Sequence, residues 1–282
     1  MAISSERFIE RDEVSYIEEP TAGDPPQWLV VALLASFAVA LLALAFWPGA
    51  TLIDRLRVLV GGICAQLPTH MFYPGGQGLP LCARNTGIYL GFSIGTIALF
   101  ARGMGRTARM PKGWLALLLL GFVGVLGVDG INSFLLDLHL PHLYQPNNLL
   151  RLTTGLLTGT TMAAFLLPTL NGVLWRNPDP RAAYRSPRFL LGLAPFLVLA
   201  FALVASQWGW LLYPLAILSS AGVVLALSLI NLTFTLAFTG RIARFATYRQ
   251  ALPIFALAVA LAIIELLLLF HFKQAMLPTT LR

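Results

Sequence analysis

The sequence predicts an all-α membrane protein, a polytopic bundle of about seven transmembrane helices with a cytoplasmic N-terminus and one interfacial helix. Three observations support this fold class. The chain is 57% hydrophobic and only 11% charged, whereas soluble domains carry about 25% charged residues. Seven apolar runs approach the ~20 residues that a helix needs to cross a bilayer. Basic residues cluster between the runs, which is typical of the loop charges that set membrane topology.

The apolar runs are expected to be helices because lipid offers an exposed backbone no hydrogen-bond partner. Only Gly209 and Trp210 separate the fifth run from the sixth, so these two should form a tight hairpin. We divide the chain into an acidic tail (1–27), an N-terminal membrane region (28–159) and C-terminal membrane helices (160–282). The seven runs cover residues 28–47, 79–101, 113–136, 149–175, 189–208, 211–239 and 251–272.

The distribution of charge predicts orientation and excludes nucleic acid as a partner. Residues 1–27 carry a net charge of −5 and the rest of the chain +12. Such an acidic start lacks the basic region of a signal peptide, and the first apolar run is long enough for a full span, so we expect this run to be retained. The basic loops that follow the second, fourth and sixth runs should be cytoplasmic, which places the N-terminus inside and the C-terminus outside. Their bases are Arg102, Arg106, Arg109 and Lys112; Arg176, Arg181, Arg185 and Arg188; Arg241, Arg244 and Arg249.

Residues 51–63 are too few and too charged to cross the membrane. Thr51 and Asp54 have the spacing of a capping box, and Gly61 with Gly62 can end a helix. We predict a short helix on the outer membrane surface; the alternative is an eighth, broken span.

Glycines recur every four residues in the second and fourth runs. Such ladders let helix backbones approach closely in lipid. We interpret them first as packing positions, with a role in a substrate path as the alternative. They are Gly87, Gly91 and Gly95, and Gly155 with Gly159.

The predicted topology places both cysteines and all four histidines on the outer side. Cys64 and Cys82 could form a disulfide worth about 3 kcal/mol, bind zinc or copper together with histidines, or remain unreactive buried thiols. The metal alternative would use Cys64, His70, Cys82, His139 and His142.

Asp129 is the second informative position because a carboxylate inside a span costs about 2.5–3.5 kcal/mol on insertion scales. It should face the bundle interior and find a partner, either Arg84 or Arg151. A purely structural ion pair is the alternative to a ligand site.

Glu265, deep in the last run, could be a protonated packing residue, a partner for an arginine or part of a proton path. The ligand-binding candidates are Arg84, Asp129, Asn148 and Arg151.

Two blocks of the chain carry a recognisable set of residues. They are Cys64, Gln66, Pro68, Leu79 to Arg84, Thr86 to Tyr89, Gly91, Asp129, Gly130, Asn148, Arg151, Gly155 and Gly159. These residues resemble the pattern of the domain-of-unknown-function 2085 family of uncharacterised prokaryotic multi-pass membrane proteins, which shows Cys-His-Gln, then Leu-Pro-Leu-Cys-Ala-Arg-Cys-Thr-Gly-Ile-Tyr-x-Gly, and later Asp-Gly and Asn-x-x-Arg-x-x-x-Gly. The resemblance implies a membrane protein without an established activity. Ala65 and Asn85 replace a His and a Cys of the pattern, which removes two candidate metal ligands.

From these observations we expect a multi-pass protein of the cell membrane that binds or transports a small anionic or polar ligand, or a lipid headgroup, on its outer side. One alternative is an accessory or structural subunit of a membrane complex. Another is a membrane enzyme that acts on a lipid-linked substrate. The expected partners are membrane lipids and other membrane-protein subunits, and the cofactor is unknown unless zinc or copper binds.

Overall fold

The computed structural model describes residues 23, 25–28, 31, 35, 51–240 and 242–276. Most of the first predicted run, nearly all of the acidic tail and Arg241 therefore lie outside the described residues. From residue 51 onward the helices are α1 Leu52–Val60, α2 Ala83–Ala101, α3 Gly113–Asp137, α4 Asn148–Leu174, α5 Pro187–Ala205, α6 Leu212–Phe238 and α7 Tyr248–Met276. Two short parallel strands, β1 Thr107–Arg109 and β2 Asp179–Ala182, join two of the loops.

The predicted helical membrane bundle is confirmed. Helices α3 to α7 are each long and apolar enough to cross a bilayer, and α3 exposes Leu117, Ile131 and Phe134 on its outer face. Helix α2 is less apolar and packs inside the bundle against α4. The number of crossings and their orientation stay predictions.

The bounds of the described helices agree with the apolar runs to within four residues, and the difference at the start of α2 has a local cause. The run begins at residue 79, but α2 begins at Ala83 with Cys82 as its N-cap. Pro80 has no N–H, and the N–H of Leu79 donates to Phe72 O at 3.0 Å. Residues 79–82 therefore belong to the preceding loop.

Helix α1 begins with the predicted capping box. The N–H of Asp54 donates to Thr51 Oγ1 at 3.3 Å, and the N–H of Thr51 donates to Asp54 Oδ2 at 3.2 Å. Gly61 caps the other end. A helix of nine residues is about 14 Å long, which is too short to cross the hydrocarbon.

Helices α2 and α4 approach each other at glycines. A Cβ built on Gly87 would lie 2.5 Å from Leu152 O, and one on Gly159 would lie 2.5 Å from Phe92 N. The two backbones are thus in contact, with no room for a side chain between them. The boundary proposed at 159/160 falls inside α4, which is a continuous helix.

The loops gather at two opposite ends of the bundle. At the basic end (residues 102–112, 176–186, 240 and 242–247), β1 pairs with β2, and Trp175 pairs with Phe245. At the cysteine end (residues 61–82, 138–147 and 206–211), the N–H of Tyr73 donates to Gln207 Oε1 at 2.9 Å. Lys273, near the end of α7, also reaches the cysteine end, where its Nζ donates to Cys64 O at 2.7 Å. Successive loops along the chain therefore lie at opposite ends of the bundle, as a series of spans requires.

Candidate functional site

A buried ion pair joins α2 to α3 at the cysteine end. Asp129 is only 1% exposed, and its Oδ2 accepts hydrogen bonds from Arg84 Nη2 at 2.5 Å and from Arg84 Nε at 3.2 Å. Arg84 lies in the first turn of α2, and its Nη2 also donates to Ser133 Oγ at 3.1 Å. Of the two arginines considered as partners for Asp129, the structure therefore selects Arg84.

The loop between α3 and α4 completes the hydrogen bonds of Asp129. Tyr144 donates its hydroxyl to Asp129 Oδ1 at 2.9 Å. Asn132, one turn after Asp129, holds this loop in place, because its Oδ1 accepts from Leu143 N at 2.6 Å and its Nδ2 donates to Tyr144 O at 2.8 Å. Burial, and then the contact with Asp129, raise the pKa of Tyr144, so its hydroxyl stays a donor.

Arg151 lies in a different set of contacts. Its side chain is buried, with 4% of the residue exposed. Nη1 donates to Asn148 Oδ1 at 2.9 Å, and Nη2 lies 3.0 Å from His70 Nε2. Nε is buried without a hydrogen-bond partner. Among the described residues, no carboxylate lies within ion-pair distance of this guanidinium.

His70 meets two groups with one ring nitrogen. Its Nε2 lies 3.0 Å from Arg151 Nη2, a donor, and 3.3 Å from Asp137 Oδ1, an acceptor. Burial is the main reason that the pKa of His70 lies below its ordinary value, and the positive charges of Arg151 and Arg84 lower it further while Asp137 opposes the shift. His70 is therefore neutral at pH 7, with Nε2 accepting from Arg151.

Asn148 ties the start of α4 to the turn that carries His70. Its Nδ2 donates to Thr69 O at 3.2 Å and to Met71 O at 3.1 Å. Asn147 caps the helix by accepting from Leu150 N at 2.8 Å. All four ligand-binding candidates thus lie at the cysteine end, but they form two units, Arg84 with Asp129 and Arg151 with Asn148.

The two cysteines are neighbouring free thiols. The N–H of Cys82 donates to Cys64 Sγ at 3.2 Å. A hydrogen bond from the Cys82 thiol is the largest cause that lowers the pKa of Cys64, to about 6, and Lys273 adds a smaller favourable charge. The same bond raises the pKa of Cys82, and burial adds to that shift. The lowered pKa of Cys64 favours a thiolate beside the Cys82 thiol, which is the pair that an oxidant would join.

We expect the two thiols to be oxidised to a disulfide in cells, since extracytoplasmic cysteines meet an oxidising environment. An impermeant maleimide should label intact cells only after reduction, and Cys64→Ser/Cys82→Ser should remove all labelling. In the reduced protein, ionisation of Cys64 should follow a pKa of about 6, and Cys82→Ala should raise it because the donor is lost. Labelling that needs permeabilised cells would contradict the predicted outer location.

The five residues considered as metal ligands do not converge. Among the described residues, no group of three or more His, Cys, Asp or Glu side chains is placed to hold a metal ion. His70 contacts Arg151, whereas His142 contacts Gln145 Nε2 at 3.1 Å. His139 is exposed at a turn with φ of 58°. The geometry therefore does not assemble the cysteine and histidine set expected for zinc or copper.

Several polar contacts were missed because the partners are distant in sequence. Asn231 donates to Glu265 Oε2 at 3.2 Å between α6 and α7. At the basic end, buried Asn171 donates to Gly105 O at 3.0 Å and to Thr107 O at 2.8 Å. Asn171 could have been singled out from the sequence, because it is the one amide in its apolar run and a polar side chain in a span needs a partner.

Comparison with known proteins supports the resemblance. Residues 64–165 match the model of the family described as "Predicted membrane protein (DUF2085)", so the resemblance is confirmed over that segment. An uncharacterised protein of Methanocaldococcus jannaschii is 28% identical over 116 residues, which cover 41% of this chain and 68% of that protein. No solved structure matches. The match and the apolar helices together establish a multi-pass integral membrane protein, and the matched segment contains both units of the site.

Proposed function

We propose that this integral membrane protein binds a small anion, or the anionic headgroup of a lipid, at its cysteine end with Arg151 as the anchor. The observation that carries the proposal is the buried guanidinium of Arg151, which has only neutral partners among the described residues. A buried charge without an opposite charge is costly. A carboxylate or phosphate oxygen would offset that cost through charge-assisted hydrogen bonds.

The hydrogen bonds of Asp129 support this assignment because neither of its oxygens pairs directly with Arg151, and Asp137 and Asp129 act on Arg151 only at longer range. Both oxygens of Asp129 are occupied, one by Arg84 and the other by Tyr144. In the proposed function, Arg84 and Asp129 hold α2 against α3 and position the site, and Arg151 makes the contact with the ligand.

His70 occupies the position that a ligand oxygen would take. Its neutral Nε2 accepts from Arg151 Nη2 at 3.0 Å. An anion that displaces it would neutralise Arg151, which is one of the charges that lower the pKa of His70. The released imidazole would then protonate and pair with Asp137, which already lies 3.3 Å away. Binding should therefore take up a proton at His70, and this contribution should favour binding as the pH falls from about 8 to about 5.

We expect Arg151→Gln to weaken binding at least about tenfold, since a hydrogen bond to a charged group contributes ~1.5–3 kcal/mol. The measurement is calorimetric titration of the purified protein with inorganic phosphate and with dihexanoyl phosphatidic acid. Binding of phosphate would indicate a free anion as the ligand, and binding of the lipid alone would indicate a headgroup. Arg188→Gln, at an exposed position in the first turn of α5, is the matched control and should bind as wild type.

His70→Gln keeps an acceptor beside Arg151 but cannot gain a proton. The phosphate probes gain a proton of their own in this range, so the readout is the difference between the two proteins. Between about pH 8 and pH 5 the affinity of wild type should rise relative to that of His70→Gln. Equal binding by Arg151→Gln and wild type, with both proteins folded, would show that the proposal is wrong. If wild type binds neither probe, the proposed function is also rejected. The accessory-subunit alternative would then be favoured, and it is supported by the Arg84 and Asp129 pair, whose charges already satisfy each other.

A further inference from the structure

An apolar cavity of about 320 Å³ lies between α2, α4, α6 and α7 near the basic end. This volume falls within the range of roughly 300–1,000 Å³ found for ligand sites, which are apolar with a few placed polar groups. Its walls include Thr96, Leu167, Leu229, Leu232, Leu252 and Phe255.

The apolar cavity leads toward an arginine. A neighbouring cavity of about 300 Å³ shares Phe100, Gly105 and Tyr248 with it and is also lined by Arg106. The guanidinium carbon of Arg106 lies 4.0 Å from the ring centre of Trp175. Its Nη2 donates to Ala246 O at 2.9 Å, and its Nε has no hydrogen-bond partner. The arginine is therefore held in place with donor capacity left.

The rim carries an excess of positive charge. Asp179 also lines the outer cavity, but its Oδ2 accepts from Arg181 Nε at 2.7 Å. Arg109, Lys112, Arg181 and Arg185 line the adjacent surface. Inside, the hydroxyl of Thr96 is buried and without a partner. A molecule that is apolar at one end and anionic at the other would match the apolar cavity inside and the basic rim outside.

We propose that the cavity holds one acyl chain of an anionic amphiphile, with its carboxylate or phosphate at Arg106. A fatty acid and an anionic phospholipid share this chemistry. Apolar burial would supply most of the affinity, and the arginine would select the charged headgroup. This site is at the opposite end of the bundle from Arg151, so it stands or falls independently of the proposed function.

Native mass spectrometry of the delipidated protein tests the inference with oleate, dioleoyl phosphatidylglycerol and dioleoyl phosphatidylcholine. We expect one bound anionic molecule, preferred at least about tenfold over phosphatidylcholine, the preference that ~1.4 kcal/mol represents. Binding of oleate but not of phosphatidylglycerol would identify a fatty acid as the ligand, and the opposite result would identify a phospholipid. Equal retention of all three probes would overturn the proposal.

Two variants separate chain from headgroup. Leu229→Trp fills the cavity and should reduce binding of both anionic probes, whereas Leu218→Trp, on the exposed face of the same helix, should not. Arg106→Gln should lose the preference for anionic probes, and Arg188→Gln, at an exposed position outside the lining of these cavities, should keep it. If Leu229→Trp fails to fold, Leu252→Trp replaces it. Wild-type binding by a folded cavity-filling variant would overturn the inference.

Discussion

Replacing Asp129 with asparagine is expected to lower the free energy of unfolding by about 3 kcal/mol. The substitution leaves the guanidinium of Arg84 against a neutral amide in the bundle interior, where an unpaired charge is poorly solvated. The value lies at the lower end of the range of about 3–5 kcal/mol for breaking buried pairs, because the Arg84 side chain is still 22% exposed.

Thermal unfolding of the purified protein in detergent measures this effect. Asp179→Asn is the matched control, because its ion pair with Arg181 is more exposed and should contribute less than about 1 kcal/mol. The double variant Arg84→Met/Asp129→Leu removes both charges and should recover much of the loss. If Asp129→Asn unfolds like the control, the pair does not stabilise the bundle as its burial implies.

Gly159→Leu is expected to have the second large effect, a loss of at least about 3 kcal/mol from overpacking. A Cβ at this position would lie 2.5 Å from the backbone N of Phe92 and would also clash with the backbone O of Ile88. Backbone atoms cannot swing aside as a side chain can. Helices α2 and α4 would have to separate, which would also move Arg151, two turns earlier on α4, relative to Arg84.

The folded fraction after detergent extraction, measured by size-exclusion chromatography, reports this loss. Gly124→Leu in α3 is the matched control, since a Cβ there meets nothing within 4 Å. Gly124→Leu should keep or slightly raise the free energy of unfolding, because leucine favours a helix over glycine by about 0.8 kcal/mol. A Gly159→Leu protein as stable as the control would show that the close approach of α2 and α4 is dispensable.

Much of the helical architecture could be predicted from the sequence. Hydropathy indicated the six apolar runs after residue 51 because any span must cover about 30 Å of hydrocarbon with apolar side chains. The capping box at Thr51 and Asp54 is local in sequence, so its residue types were sufficient to predict it. The start of α2 was wrong by four residues, because leucines around Pro80 made a loop look like part of a helix.

The partner of Asp129 could not be chosen in this way. Arg84 and Arg151 both lie near it along the predicted topology, and the choice depends on how each helix is rotated about its axis. The contact of His70 with Arg151 joins residues 81 positions apart. No local pattern predicts such a contact, since it requires the turn at Pro68–His70 to fold back onto the start of α4.

The sequence by itself determined that this protein is a bundle of apolar helices with its unusual polar residues grouped between particular spans. The helical bundle follows from the sequence because each apolar segment must satisfy the lipid environment by itself, whatever its neighbours are. The tertiary structure decided that Asp129 is satisfied by Arg84 while Arg151 is left with neutral partners. Side-chain pairing depends on helix rotation and on loop closure, and these are set by packing between segments, with glycine contacts between α2 and α4 at the centre.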